Sequence, residues 1–306
     1  MKQNLAPIVL FCYNRPWHVE QTLIALSKNE LVDQSVLYIY CDGPKENDSK
    51  EQINNIRLTR EVVRKGKWCK EVHIIESEKN KGLANSIIGG VTDVLKKHGK
   101  VIVLEDDIVT SVGFLKYMND ALEMYKEEKS VMHISAYMYP HNCKLPETFF
   151  YQVPYPGGGW ATWERAWALY NDNTEELYHK WKDRWDEFDW FGGDYLSKQL
   201  IANFNGTLKT WFIKWHAVLL EQKAMTLYPG KSLTNNIGFD DLGTNCYTTN
   251  KFDVEIVDKI VVEKKQIKLN KRASRVIYDF YQGHWYNRRR RKALMDKVKN
   301  FLLFWK

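Results

Sequence analysis

No stretch of the 306-residue chain approaches the roughly 18 consecutive apolar residues of a membrane-spanning helix. The first residues lack the basic start, apolar core and cleavage site of a secretory leader, so the expected compartment is the reducing cytosol. The five cysteines, Cys12, Cys41, Cys69, Cys143 and Cys246, are odd in number, widely spaced and without a CxxC pair. Neither a disulfide framework nor a zinc site is indicated. The first apolar run is not followed by GxGxxG, which excludes a dehydrogenase, and GxxxxGK[ST] is missing throughout, which excludes a P-loop enzyme. The same turn, Tyr13-Asn14-Arg15-Pro16, has no glycine, which argues against a sugar nucleotidyltransferase. Internal repeats and low-complexity segments are missing too. So is a charge excess in the body: residues 285–306 hold eight basic residues against Asp296 alone, and the other 284 residues hold 37 basic and 37 acidic groups. A neutral body has no extended basic surface for nucleic acid.

What is present is alternation. Short apolar runs at Pro7–Tyr13, Val36–Cys41, Glu71–Glu76, Val101–Leu104 and Val131–Tyr137 read as strands. Helical patterns at Pro16–Lys28, Asp48–Lys65, Leu83–His98 and Ser111–Glu127 separate them, with Asn47 or Asp48 as the expected N-cap of the second. Strands alternating with helices of this length predict an α/β fold with a doubly wound sheet. Near Pro140 the character changes. Residues 140–159 carry four prolines and Gly157-Gly158-Gly159, and eight of the twelve tryptophans follow between Trp160 and Trp215. The expected organisation is a nucleotide-binding half, 1–139, an acceptor half, 140–270, of the same fold, and a C-terminal tail, 271–306.

Glu105-Asp106-Asp107 directly follows the fourth strand. Three carboxylates at a strand end repel one another, and a hard divalent cation such as Mg²⁺ or Mn²⁺ removes that cost. In open α/β sheets ligands bind outside the carboxyl ends of the strands. Tyr13-Asn14-Arg15 ends strand one, Asp42-Gly43-Pro44 strand two, and Glu78 to Gly82 strand three. All are ordinary turn chemistry taken singly. Together they outline a cleft with Asp42 for a base and ribose, Arg15, Lys81 and the helix start at Gly82 for phosphates, and Asp106 and Asp107 for a metal.

On these residues the chain resembles nucleotide-sugar-dependent glycosyltransferases of the GT-A fold. It is similar to bacterial family 2-like sugar transferases and, in its acidic triplet, to N-acetylglucosaminyltransferase I. The resemblance is carried by Ile8–Pro16, Tyr40–Pro44, Asn80–Ser86 (which includes Asn85), Val103–Asp107 and Gly159–Trp163. It implies that Asp107 coordinates a metal bridging the donor diphosphate. It further implies that Asp106 and Glu105 contact ribose, sugar or metal-bound water, that Asp42 contacts uridine or ribose, and that transfer inverts the anomeric centre. An inverting transfer needs a general base within hydrogen-bond reach of the acceptor hydroxyl, and the resemblance suggests a carboxylate at the start of a helix after the aromatic segment, which would be Asp194, with Asp240 and Asp241 as alternatives. Asn245 stands where a further histidine ligand is expected, and His284 is the remaining candidate.

Two segments keep two readings each. Gly158, Gly159 and Trp160 would let a sugar approach and stack, whereas Trp163 and Trp167, four apart on a helix face, read as core. In the tail, Leu294, Val298, Phe301, Leu302 and Trp305 form an apolar stripe behind the basic block Arg288–Lys292. This reads as a peripheral helix on the anionic inner face of the plasma membrane, suited to a lipid-linked saccharide acceptor, or as a stripe docked on protein.

Overall fold

Ile8–Cys12 (β1) is buried at every position, as a strand covered on both faces requires. A computed structural model describes residues 4–190, 193–240 and 248–283. After β1 come α1 (Pro16–Leu26), β2 (Val36–Cys41), α2 (Lys50–Arg64), β3 (Glu71–Glu76), α3 (Leu83–His98), β4 (Lys100–Glu105), β5 (Ile108–Thr110), α4 (Phe114–Met124) and β6 (Val131–Ser135). The chain continues through β7 (Thr148–Tyr151), β8 (Trp160–Trp163), α5 (Glu164–Trp167), α6 (Thr174–Trp181), α7 (Trp185–Phe188), α8 (Tyr195–Phe204), α9 (Phe212–Glu221), β9 (Met225–Pro229) and β10 (Thr234–Asn236).

The main sheet runs β3-β2-β1-β4-β8-β6-β9-β7. The first four strands are parallel; β8 is antiparallel to both β4 and β6, β9 is parallel to β6, and β7 closes the edge antiparallel to β9. The expected α/β class, with a doubly wound mixed sheet, is what the structure has. Alternation along the strands sorts the core into two layers. Ile8, Leu10, Ile102 and Leu104 pack with α1, α2 and α4, while Val9, Phe11, Val101 and Val103 pack with α3. Because β8 inserts between β4 and β6, the sheet is continuous across residue 140.

Several local expectations change. The N-cap of α2 is Ser49, in a reciprocal capping box with Gln52, rather than Asn47 or Asp48. The helix expected from Ser111 starts at Phe114, because residues 108–110 are claimed by an antiparallel ribbon with β10. Trp163 and Trp167 are both buried but not on one helix face. Trp163 ends β8 and donates to the Leu122 carbonyl of α4, while Trp167 lies in α5 and donates to Thr92 of α3. The start of the predicted tail is core: residues 271–283 are helical, and Ala273 and Ile277 are fully buried with Val276 and Phe280 packed beside them. That i, i+3, i+4, i+7 spacing is a core stripe. The membrane stripe and basic block, 288–306, lie outside the described residues.

Two histidines are sealed in this core. His133 accepts from the Trp215 indole (3.2 Å) and His216 contacts the Phe188 carbonyl (3.0 Å). Burial pushes their pKa values down to about 3 and about 4. A depressed histidine is neutral when folded, so its contribution is present above the unfolded value, near 6.5, and is lost as pH falls through it. From pH 7 to pH 5 the two together should cost on the order of 4 kcal/mol of stability. Urea midpoints of wild type and His133→Gln/His216→Gln at the two pH values test this: on going from pH 7 to pH 5 the double variant should lose less stability than wild type by about that amount, and equal changes in the two proteins would contradict it.

Candidate active site

Arg15, His18 and Thr22 occupy the N-cap and one face of α1, three and four residues apart; Arg15 and Thr22 meet the acidic residues after β4. Arg15 Nη2 is ion-paired to Asp106 and lies 2.8 Å from Asp107 Oδ2. Thr22 Oγ1 donates to the Asp106 carbonyl (2.8 Å). His18 Nε2 lies 2.9 Å from Asp240 Oδ2. The β5–β10 ribbon brings Asp240 here. Ile237 N donates to the Asp107 carbonyl (2.9 Å), and the next residue, Gly238, lies so close that a Cβ there would meet Asp107 Oδ2 at 2.0 Å. Two distant sequence segments thus converge on the triplet.

The electrostatics are under-compensated. Burial, then Asp107 and Asp106, push the Glu105 carboxyl up to about 8, with Arg15 pulling the other way. Burial also raises Asp106 against the pull of Arg15. Burial opposes the Arg15 charge, but Asp106 and Asp107 outweigh it and hold the guanidinium firmly protonated. Two aspartates sharing one guanidinium leave a negative excess of the kind a divalent cation removes. No group of three or more His, Cys, Asp or Glu forms a ready ligand set among the described residues. The carboxylates gathered at this end of the sheet are Asp106 and Asp107, both in contact with Arg15. His284 and Asp241 lie outside the described residues.

Elsewhere the structure assigns tasks that differ from the expected ones. Asp42 spends its carboxylate on backbone: it accepts from Gly43 N (2.9 Å), Lys81 N (2.8 Å) and Gly82 N (3.0 Å). These bonds fix the turn that leads into α3, whose N-cap Gly82 (φ +76) carries no side-chain cap bond. Lys81 itself is exposed, and Asn85 bonds back to its carbonyl (2.7 Å). Tyr13 is bonded to Asp48 and has Lys45 Nζ 5.6 Å from its ring centre, while Asn14 is half-buried beside it. Trp160 cannot stack on a sugar here. It is 1% exposed, with its ring against Trp211 (4.9 Å between centroids) and His133 (5.2 Å). The glycine run serves packing: a Cβ on Gly158 would meet Tyr137 Cβ at 2.2 Å, and Gly159 sits at φ +73 against Leu104 and Phe114. Asp194 precedes α8 with no capping bond, its side chain half exposed and paired with Lys198 (2.5 Å). The carboxylate that caps α8 is the buried Asp189, which accepts from Leu196 N (2.8 Å) and Ser197 N (3.0 Å).

His18, Thr22 and Gly238 were not among the expected site residues. Polar residues at 15, 18 and 22 on an otherwise apolar helix face were the available signal for the first two. Gly238 had none.

No family model matches the chain, and neither does any curated protein. Among solved structures it is similar to S. aureus TarS residues 1–349, with 13% identity and TM-score 0.41 over 75% of this chain and 59% of that one. It covers 23% of a longer TarS structure. Mouse xyloside xylosyltransferase 1, in its apo form, is similar at 9% identity and TM-score 0.38, over 71% of this chain and 82% of that one. A UDP-glucose pyrophosphorylase complexed with UDP-glucose is similar at 11% identity and TM-score 0.36, over 74% and 90%.

Proposed function

We propose that this protein is a GT-A-type glycosyltransferase that moves a sugar from a nucleoside-diphosphate donor, UDP-linked, to a saccharide acceptor in cell-surface polysaccharide synthesis, with inversion. One observation carries the reading: the charge-deficient Glu105-Asp106-Asp107 cluster, braced by Arg15, at the carboxyl end of the central parallel strands. Asp107, with Asp106, would hold a divalent cation, Mn²⁺ or Mg²⁺, and the bound cation supplies the positive charge that stabilises a diphosphate leaving group. Arg15 touches both aspartates and so holds them toward one point, and its guanidinium is itself a phosphate-binding group. Glu105 and Asp106 offer acceptors to donor hydroxyls. The basic block Arg288–Lys292 with the apolar residues that follow it would hold the enzyme at an anionic membrane surface near a lipid-linked acceptor. Among the described residues, no helix is long and apolar enough to cross a membrane.

The test is calorimetric titration with UDP-, GDP- and dTDP-sugars, with and without Mn²⁺. Cation-dependent binding of one nucleotide class is expected. Binding of none under either condition would replace this reading with a non-catalytic saccharide-binding protein.

A further inference from the structure

Trp17 is the most exposed large apolar side chain among the described residues, at 57%, whereas the tryptophans of β8, α5 and α9 are buried. It follows Pro16 in the first turn of α1, off the face formed by the buried Val19, Leu23 and Leu26. Two positions before it, Arg15 is the N-cap of the helix and touches both Asp106 and Asp107. Side chains on a helix tilt toward its N-terminus, so the indole belongs to the end of α1 that meets the acidic cluster. The ring is braced. Pro16 pre-sets the backbone at the helix start, and the imidazole of His18, whose side chain is only 2% exposed, meets the indole edge-on at 5.0 Å between centroids. A large flat ring is thus held at the rim of the candidate site with most of its surface left to solvent.

We infer that Trp17 is the stacking platform for the saccharide acceptor, the role that the buried Trp160 does not fill. The inference rests on the donor reading above. With a diphosphate held at Arg15 and Asp107, the attacking hydroxyl has to arrive from the solvent side of that cluster. A pre-set ring at the rim restricts where the acceptor can lie, and such restriction is worth rate as well as affinity. A pyranose has a face of C–H groups and an edge of hydroxyls. The indole matches both: its face covers the C–H groups, and its N–H donates to a hydroxyl. An anionic membrane is the poorer occupant, because the carboxylates next to this turn carry a negative excess.

The experiment uses the full chain with its tryptophans replaced by fluorotryptophan, and Trp17→Phe identifies the Trp17 fluorine resonance by its loss. UDP with Mg²⁺ is added first, then the methyl glycosides of glucose, galactose and their N-acetylamino forms, and in a separate sample phosphatidylglycerol vesicles. UDP should bind with little effect on the Trp17 resonance, and at least one glycoside should then move it saturably. By ligand-observed NMR, Trp17→Ala should raise the Kd of that glycoside about 3- to 10-fold, with UDP affinity and melting temperature close to wild type. Trp17→Tyr, which keeps a flat ring and a donor, should recover most of the loss. A ring that serves only the fold would change melting temperature and leave the glycoside Kd alone. The assignment is overturned if no glycoside moves the resonance, if Trp17→Ala binds the glycoside as well as wild type, or if the resonance responds to UDP alone or to vesicles alone. A wild type that binds no UDP overturns the donor reading itself, and this inference with it.

Discussion

Arg15→Met should destabilise the folded chain by roughly 3–5 kcal/mol at pH 8 in chelator-treated buffer, the usual cost of removing one partner from a buried ion pair. Arg15 is the cation seen balancing Asp106 and Asp107, and its side chain is only 17% exposed, so water replaces it poorly. The pH dependence has a definite sign. Glu105 and Asp106 have folded pKa values raised above their unfolded ones, Glu105 to about 8. Such groups bind more protons folded than unfolded, so stability falls as pH rises from the unfolded carboxyl range through the folded value. Without Arg15 both carboxyls rise further, and the deficit of the variant should shrink markedly by pH 5, where protonation substitutes for the missing charge. Millimolar Mn²⁺ should restore part of the loss at pH 8. Urea midpoints of wild type and variant at pH 5 and pH 8, with and without Mn²⁺, decide the matter; an equal difference at both pH values would mean that Arg15 contributes packing rather than charge.

Asp107→Ala should separate function from stability in the opposite sense. Loss of one charge-assisted contact to a bound cation, worth up to about 3 kcal/mol, corresponds to a fall of about two orders of magnitude in cation-dependent UDP affinity. Folding should be unharmed or improved, because one like charge leaves a crowded cluster while Arg15 keeps Asp106. Unchanged UDP–Mn²⁺ affinity in this variant would remove Asp107 from the cation site. A fall in affinity accompanied by a large fall in melting temperature would assign the residue to the scaffold. Gly238→Ala should resemble Asp107→Ala in UDP binding, since the added methyl displaces the same carboxylate.

The layered α/β plan was legible because its signals are local. Buried strands between covering helices read as apolar runs, and Leu83–His98 and Val36–Cys41 come out with the expected ends. The triplet was legible for the same reason, as charge set directly against a Val/Ile run. The Trp160 expectation failed because residue type does not reveal which face is occupied. An aromatic beside three glycines suits a sugar platform, but here the glycines admit Tyr137, and Trp211 covers the indole. That Asp42 accepts from the three amide hydrogens at positions 43, 81 and 82 was likewise not legible, because two of them come from a turn about 40 residues further on.

The sequence by itself determined which strands are buried on both faces, where the negative charge is concentrated and that the body carries no net charge, because periodicity and composition are properties of neighbours along the chain. Only the tertiary structure decided how that charge is answered. Asp240 reaches His18, and Gly238 reaches Asp107, because β10 pairs with β5 more than 120 residues earlier. The register of that ribbon depends on long-range packing that no local pattern encodes.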